Sequence, residues 1–412
     1  MDKLDSLLEA CTANNAYPGT AATIVDSKGN RLYHKAFGVN DISAENPTKF
    51  TTSTQMLIFS CTKLIACIAA LQLVEQGKLS LDDPVSKYIP DIVDIPVYVG
   101  DGTTATRPQK TTMTIQHLFT HTAGFTYDFF DKTTLQWRVE QGAQPGVYMA
   151  EGNRPYFRTP LLHDPGTAFA YGVNIDYLGL VLEAITGQKL QDYVKANILE
   201  PLDMKSSVPY LEKEDATHLL LHIRGLTGKD PLMAFPGAFP PKGLEFYGGG
   251  HYLISTVDDY AQILTTILND GTSPTTGATI LKPETVDNYL FKDMIPADAD
   301  RKHVPIVNSS LPMSTNQAEF LPGHKVGWSC GFLLNLEDVP GGRKSYSGMW
   351  AGLGNLFFFI DRKSDRAGLV ATSVLPFMDD GVLTLFEAVE KAALGHEIRD
   401  GAEAKTLFRV DS

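Results

Sequence analysis

Hydrophobic alternation with a period of two residues is confined to the two ends of this chain. Segments 21–25 and 31–37 alternate around Ser27-Lys28-Gly29-Asn30, which reads as a hairpin turn. The same period returns from Val326, over 328–336, 344–349, 355–360 and 368–374. Between the ends, apolar residues recur at helical spacing. Leu64, Ile68 and Leu71 run up to Gly77, Leu178, Val181, Leu182 and Ile185 run up to Gly187, and Tyr260, Ile263 and Ile267 follow Thr256. A further helix is predicted over 2–14, and another from Asp380 to Leu394. Strands at both ends with helices between predict an α+β fold, with one antiparallel sheet built from the two termini and flanked by helices. The expected division is a single catalytic domain over 1–412. Residues 1–55 and 322–412 form its α/β part, and 56–321 a mostly helical part with cap-like insertions. Residues 98–111 and 293–324 read as surface loops, 126–165 as a cap over a pocket, and 205–245 as irregular.

The chain has 412 residues, and 43% of them are hydrophobic, enough for a sizeable core. A formal net charge of −13 disfavours nucleic acid and anionic membrane as partners, since both reward clustered Lys and Arg. Cys11, Cys61, Cys67 and Cys330 show no metal or redox spacing and read as reduced thiols. The charged amphipathic start does not read as a signal peptide, and no apolar run reaches membrane-spanning length. A cytoplasmic enzyme is the expectation.

Chemistry concentrates at Ser60-Cys61-Thr62-Lys63, at the start of an apolar helix. Residues three apart share a helix face, with Cβ atoms roughly 5–6 Å apart. A serine hydroxyl needs a proton acceptor before it becomes a nucleophile. A desolvated lysine has a lowered pKa and can act as one. A helix N-terminus adds N–H donors for an oxyanion. A second candidate is Tyr171, just before the helix that Asn174 is expected to cap. With its pKa lowered by nearby lysine, its phenolate could take a proton from serine. A third is 347–355, where small residues joining two strands would let a substrate lie against bare backbone. Three other motifs are discounted. Gly327-Trp328-Ser329-Cys330-Gly331 matches a nucleophile elbow, but strand rather than helix follows it. His117 and His121 have zinc-helix spacing without the glutamate that should follow the first. Gly248-Gly249-Gly250 lacks the Lys-Ser/Thr of a phosphate loop.

Taken together, these motifs resemble the serine β-lactamase/penicillin-binding-protein-like superfamily. The branches most similar are family VIII carboxylesterases and fungal transesterases of the lovastatin acyltransferase type. The resemblance rests on Ser60 to Lys63, Leu118 to Gly124, Asp164-Pro165-Gly166, Tyr171 to Asn174, Gly249-Gly250 before Ser255 to Asp259, and Trp350-Ala351-Gly352. It implies that Ser60 is acylated and Lys63 helps deprotonate it. It also implies that Tyr171 is general base and then proton donor to the leaving alcohol. The backbone N–H groups of Ser60 and Leu353 would form the oxyanion hole. Trp350, Gly352, Asn174 and Tyr148 would contact substrate. Trp137 and Tyr156 would join Tyr148 in lining an acyl or alcohol pocket. No metal or organic cofactor is implied.

The resemblance also shows two departures. Where β-lactamases and D,D-peptidases carry K-T-G, this chain has Trp350-Ala351-Gly352, and an indole suits an uncharged ester rather than a carboxylate. The asparagine stands three residues after Tyr171 rather than two. The expectation is therefore an ester hydrolase or transesterase working through acyl-Ser60 on small esters or thioesters, with an acyl carrier domain as a candidate partner in secondary metabolism. The alternatives are a β-lactamase or D,D-peptidase, and an inactive binding protein on the same fold. Nitrocefin turnover set against a short-chain ester separates the first. Failure of a fluorophosphonate to label Ser60 would point to the second.

Overall fold

Seven antiparallel strands, drawn from both ends of the chain, make the central sheet. They are β1 (Gly19–Val25), β2 (Arg31–Gly38), β3 (Val326–Trp328), β4 (Leu333–Asn335), β5 (Ser347–Gly352), β6 (Leu356–Asp361) and β7 (Arg366–Ala371). Their spatial order is β3-β4-β5-β6-β7-β1-β2. The ends join where β1 lies antiparallel to β7, with Ala21 opposite Ala371. This computed structural model describes residues 2–13, 16–146, 152, 154–215, 217–398 and 408–410.

The Phe-rich run of β6 explains why helices cover both faces. Side chains alternate across a strand. Phe357 and Phe359 meet Phe386 of the helix Asp380–Ala393, with ring centroids 5.5 and 6.1 Å apart. Phe358, between them, meets Tyr260 of the helix Val257–Leu268 at 5.7 Å. Every residue of β6 is therefore buried. The helix Asp2–Thr12 packs beside Asp380–Ala393.

Beside the sheet, the helix Thr62–Glu75 is buried on all sides through Leu71. All-round burial of an apolar helix marks a core position. It packs against Asn174–Thr186, which Gly187 closes in the left-handed conformation at φ 67°.

Several expectations change here. The strand expected over 344–349 begins later, at Ser347, and runs to Gly352. The residues before it are held in a turn by Lys344 N–H to Asp361 and Ser345 N–H to Asp338. Trp350-Ala351-Gly352 thus lies on a strand, and the turn follows it, with Asn355 at φ 61°. Segment 98–111 is not simply a loop: Val97–Tyr98 and Thr106–Arg107 pair as a hairpin, and Arg107 grips Asp164 through two hydrogen bonds of 2.9 and 2.8 Å. The helix Ile115–Phe119 is closed by His121 at φ 54°. Gly124 is needed because a Cβ there would come 2.5 Å from the His163 carbonyl oxygen. Within 205–245, Leu221–Ile223 pairs with Met233–Phe235. Within 293–324, Ile306–Val307 pairs with Ala318–Phe320.

Candidate active site

Ser60 is placed by the segment before it. Met56–Leu57 pairs with Ile254–Ser255, and Ile58 N–H donates to Leu253 O at 3.0 Å. Phe59 then turns the chain with φ 46°, a left-handed conformation that is unusual for a bulky residue. Its ring is buried and holds the turn. A Cβ on Gly354 would come 2.9 Å from it. The short helical turn Phe59–Cys61 leads directly into Thr62–Glu75. Strain of this kind gathers where a structure has to present one side chain.

Lys63 lies one turn on and is 1% exposed. Its Nζ donates to Ser60 Oγ at 3.1 Å, Tyr127 Oη at 3.0 Å and Gly250 O at 2.9 Å. All three acceptors are neutral. Burial pushes the amine down to about 8, against the opposing pull of Asp176. An amine with that pKa is partly unprotonated near neutrality and can accept the Ser60 proton.

Tyr171 lines the same cavity as Ser60, and its ring centroid lies 4.8 Å from Lys63 Nζ. Trp350 Nε1 donates to Tyr171 Oη at 2.9 Å. Here the expected electrostatics reverse. Burial raises the phenol well above its ordinary value, and the nearby Ser60 hydroxyl and the Trp350 N–H only partly oppose it. Tyr171 is therefore a protonated phenol, and the group with a lowered pKa is Lys63. Behind Tyr171 stands His121, fully buried, its ring centroid 4.5 Å from the Tyr171 ring. Burial drives its imidazole well below the usual value, so it is neutral.

Sequence reasoning missed Tyr127, which touches Lys63 as directly as Ser60 does. It lies in an aromatic-rich segment without a period, so only the density of aromatics over 126–130 pointed there. Tyr127, Phe129 and Phe130 line one wall of a cavity that opens onto Ser60 and Tyr171. Val304, Val307 and Phe320, from the supposed loop 293–324, line another.

The remaining expected site residues divide. Trp350 and Leu353 line the cavity beside Ser60. Gly352 does not line it. Its missing side chain faces the Ile58 carbonyl oxygen, 2.4 Å from where a Cβ would sit, so β5 closes against the turn that carries Ser60. Asn174 is neither a cap nor a cavity residue. Val173 occupies the cap position, and the fully buried Asn174 amide donates to His121 Nδ1 at 2.9 Å and Ala170 O at 3.3 Å. Trp137 is half-buried away from the cavity. Tyr148 and the Tyr156 side chain lie outside the described residues. Ser329 is fully buried, its Oγ accepting from Gly331 and Phe332 N–H at 3.1 Å in the turn between β3 and β4. His117 Nδ1 accepts Thr114 N–H at 3.2 Å. Among the described residues, no group of three or more His, Cys, Asp or Glu is placed to hold a metal.

The Gly352 contact gives a first prediction. Gly352→Ala must push β5 away from Ile58, because the clash is with backbone. A destabilisation of about 1–3 kcal/mol in a urea titration is expected, with kcat falling roughly tenfold as the strand end beside Ser60 shifts. Unchanged kcat would detach this strand end from the site.

Comparison with known proteins agrees with the geometry. A sequence model of the β-lactamase family matches residues 4–391. The chain is 32% identical over 390 residues to a lovastatin esterase of Penicillium rubens, covering 92% of this chain and 94% of that one. It is 26% identical over 411 residues to a monacolin J acid methylbutanoyltransferase of Aspergillus terreus, covering 94% of both chains. Among solved structures, a simvastatin synthase mutant (LovD6) from Aspergillus terreus superposes with a TM-score of 0.77 at 25% identity, covering 95% of this chain and 94% of that one.

Proposed function

This chain belongs to the β-lactamase family and is a serine-type ester hydrolase or acyltransferase within it; from that premise we propose how its side chains divide the work. Ser60 is the nucleophile. Lys63, as the neutral amine, takes its proton. Tyr171, as the neutral phenol, relays or returns a proton to the leaving alcohol. The N–H groups of Ser60 and Leu353 receive the oxyanion. In the second half-reaction, water or an acceptor alcohol gives its proton to the same pair and the acyl group leaves Ser60. The observation that carries this reading is Lys63 Nζ, buried and 3.1 Å from Ser60 Oγ. Ser60, Lys63 and Tyr171 come from 56–321, and Trp350 and Leu353 from the sheet-bearing end of the chain.

The substrate is an uncharged small ester or thioester of polyketide-like type. Trp350 offers an apolar face and gives its one N–H to Tyr171, so a β-lactam carboxylate finds no cation there. The cavity of about 160 Å³ matches the roughly 150 Å³ that accommodates a benzene-sized apolar group. A short branched acyl chain, such as the methylbutanoyl group named for one relative, is of that size. In acyl-transfer mode, a thioester on an acyl carrier domain is the proposed donor. No helix among the described residues is long and apolar enough to cross a membrane.

Intact mass after incubation with short-chain esters and thioesters is expected to show one acyl adduct, mapping to Ser60, that unloads faster when the right acceptor alcohol is present. Acylation is expected to rise with pH through a midpoint near 8, because only the unprotonated Lys63 accepts. p-Nitrophenyl butanoate should turn over far faster than nitrocefin. An adduct on Ser329, or none, would remove the assignment.

A further inference from the structure

The three acceptors of Lys63 are neutral, among the described residues no carboxylate contacts it, and Asp176 is reached through Gly250. Asp176, in the first turn of the helix Asn174–Thr186, is 1% exposed. Its Oδ1 accepts Gly250 N–H at 3.1 Å, and the carbonyl of the same Gly250 accepts from Lys63 Nζ at 2.9 Å. Gly250 therefore stands between the two charges, its N–H turned to the anion and its C=O, in the next peptide unit, turned to the cation. The glycines make the approach possible. A Cβ on Gly248 would come 2.2 Å from Asp176 Oδ1. A Cβ on Gly250 would come 2.6 Å from Oδ2 and 3.0 Å from Lys63 Nζ. A Cβ on Gly249 would come 2.7 Å from the Ile175 carbonyl oxygen, in the same helical turn. The triplet that is no phosphate loop thus wraps a buried carboxylate of this chain.

We propose that Asp176 is the counter-ion of Lys63, acting across Gly250, and that residues 248 and 250 are glycine so that its carboxylate can be seated there. It is a positioning residue, since it lies outside the cavity and works through Lys63. The other groups around Lys63 are Cys61 in the turn before its helix, Cys67 on the helix, the phenols of Tyr127 and Tyr171, and the neutral ring of His121. Asp176 is the aspartate among the groups that act on its charge. Asp176 also faces His251, whose Nδ1 lies 3.2 Å from Oδ1 and whose ring borders the cavity. The counter-ion opposes the effect of burial. Without it, the amine would lose its proton at lower pH, and Lys63 would be a weaker base that is free at lower pH. The catalytic consequence rests on the reading of Lys63 as proton acceptor. The electrostatic claim does not.

The test uses the full-length protein with 13C-labelled lysine, the Lys63 signal being assigned by its loss in Lys63→Met. Asp176→Asn keeps an acceptor for Gly250 N–H and removes the charge; Asp176→Ser is the smaller second variant. In either folded variant the Lys63 titration midpoint is expected to fall by about one to three pH units from its wild-type value. The acidic limb of Ser60 acylation by p-nitrophenyl butanoate should move down with it. Relative to its own plateau, the variant would then be about tenfold or more faster than wild type at pH 6.5. A midpoint that does not move in a folded variant overturns the proposal. A midpoint that falls while the acylation limb stays put upholds the counter-ion and instead removes Lys63 as the base, so the two claims fail separately.

Discussion

Replacing Lys63 with methionine is expected to slow acylation of Ser60 by on the order of 10³-fold or more at every pH, and to erase the limb near pH 8. General-base transfer is worth about 10²–10⁴, and the same nitrogen also orients Ser60 Oγ. Methionine is close in length, unbranched and apolar, and it adapts to a slot as buried as this one. The fold should survive at a cost. Tyr127 Oη and the Gly250 carbonyl lose their donor, and Asp176 loses its cation, for a destabilisation of roughly 1–3 kcal/mol. Combining Lys63→Met with Asp176→Asn should recover part of that stability and none of the rate. Urea titration and fluorophosphonate labelling of Ser60 read the two quantities independently. Labelling at the wild-type rate in Lys63→Met would end the role assigned to this amine.

How much of this was legible depends on whether the information is local. The period-two segments at both ends named the sheet, because alternation is a property of each strand. Ser60 and Lys63 were legible because helical spacing alone puts them on one face. Tyr127 was not, since it meets Lys63 from 64 residues away, through packing rather than spacing. Asn174 was misread for the reverse reason. Asparagine before an apolar run is a common cap, yet Val173 takes that position and the buried amide is drawn to His121. The phenol of Tyr171 shows the same limit in its electrostatics. Proximity to lysine argues for a lowered pKa, but burial is the larger effect and raises it, and burial cannot be read from neighbours along a chain. The glycine triplet carried its meaning in what it leaves room for, a carboxylate some seventy positions earlier in the sequence.

Because burial keeps Tyr171 protonated, its replacement should hurt most where a proton must be delivered. Tyr171→Phe is expected to lower kcat for an alkyl ester by about 10²–10⁴, since an alkoxide leaves slowly without a donor. For a p-nitrophenyl ester the loss should be far smaller, because nitrophenolate departs without protonation. Trp350 gives the same axis a finer probe. Its indole N–H donates to Tyr171 Oη at 2.9 Å, which makes the phenol a better acid. Trp350→Phe removes that donor while keeping an apolar ring against Phe320, whose centroid lies 5.4 Å away. A loss of about tenfold on the alkyl ester is expected, the value of one hydrogen bond to a reacting group. In the double variant the tryptophan exchange should add little, since its partner oxygen is gone. Equal losses on the two esters would place Tyr171 in binding rather than proton delivery and would leave Lys63 to serve both directions of transfer alone.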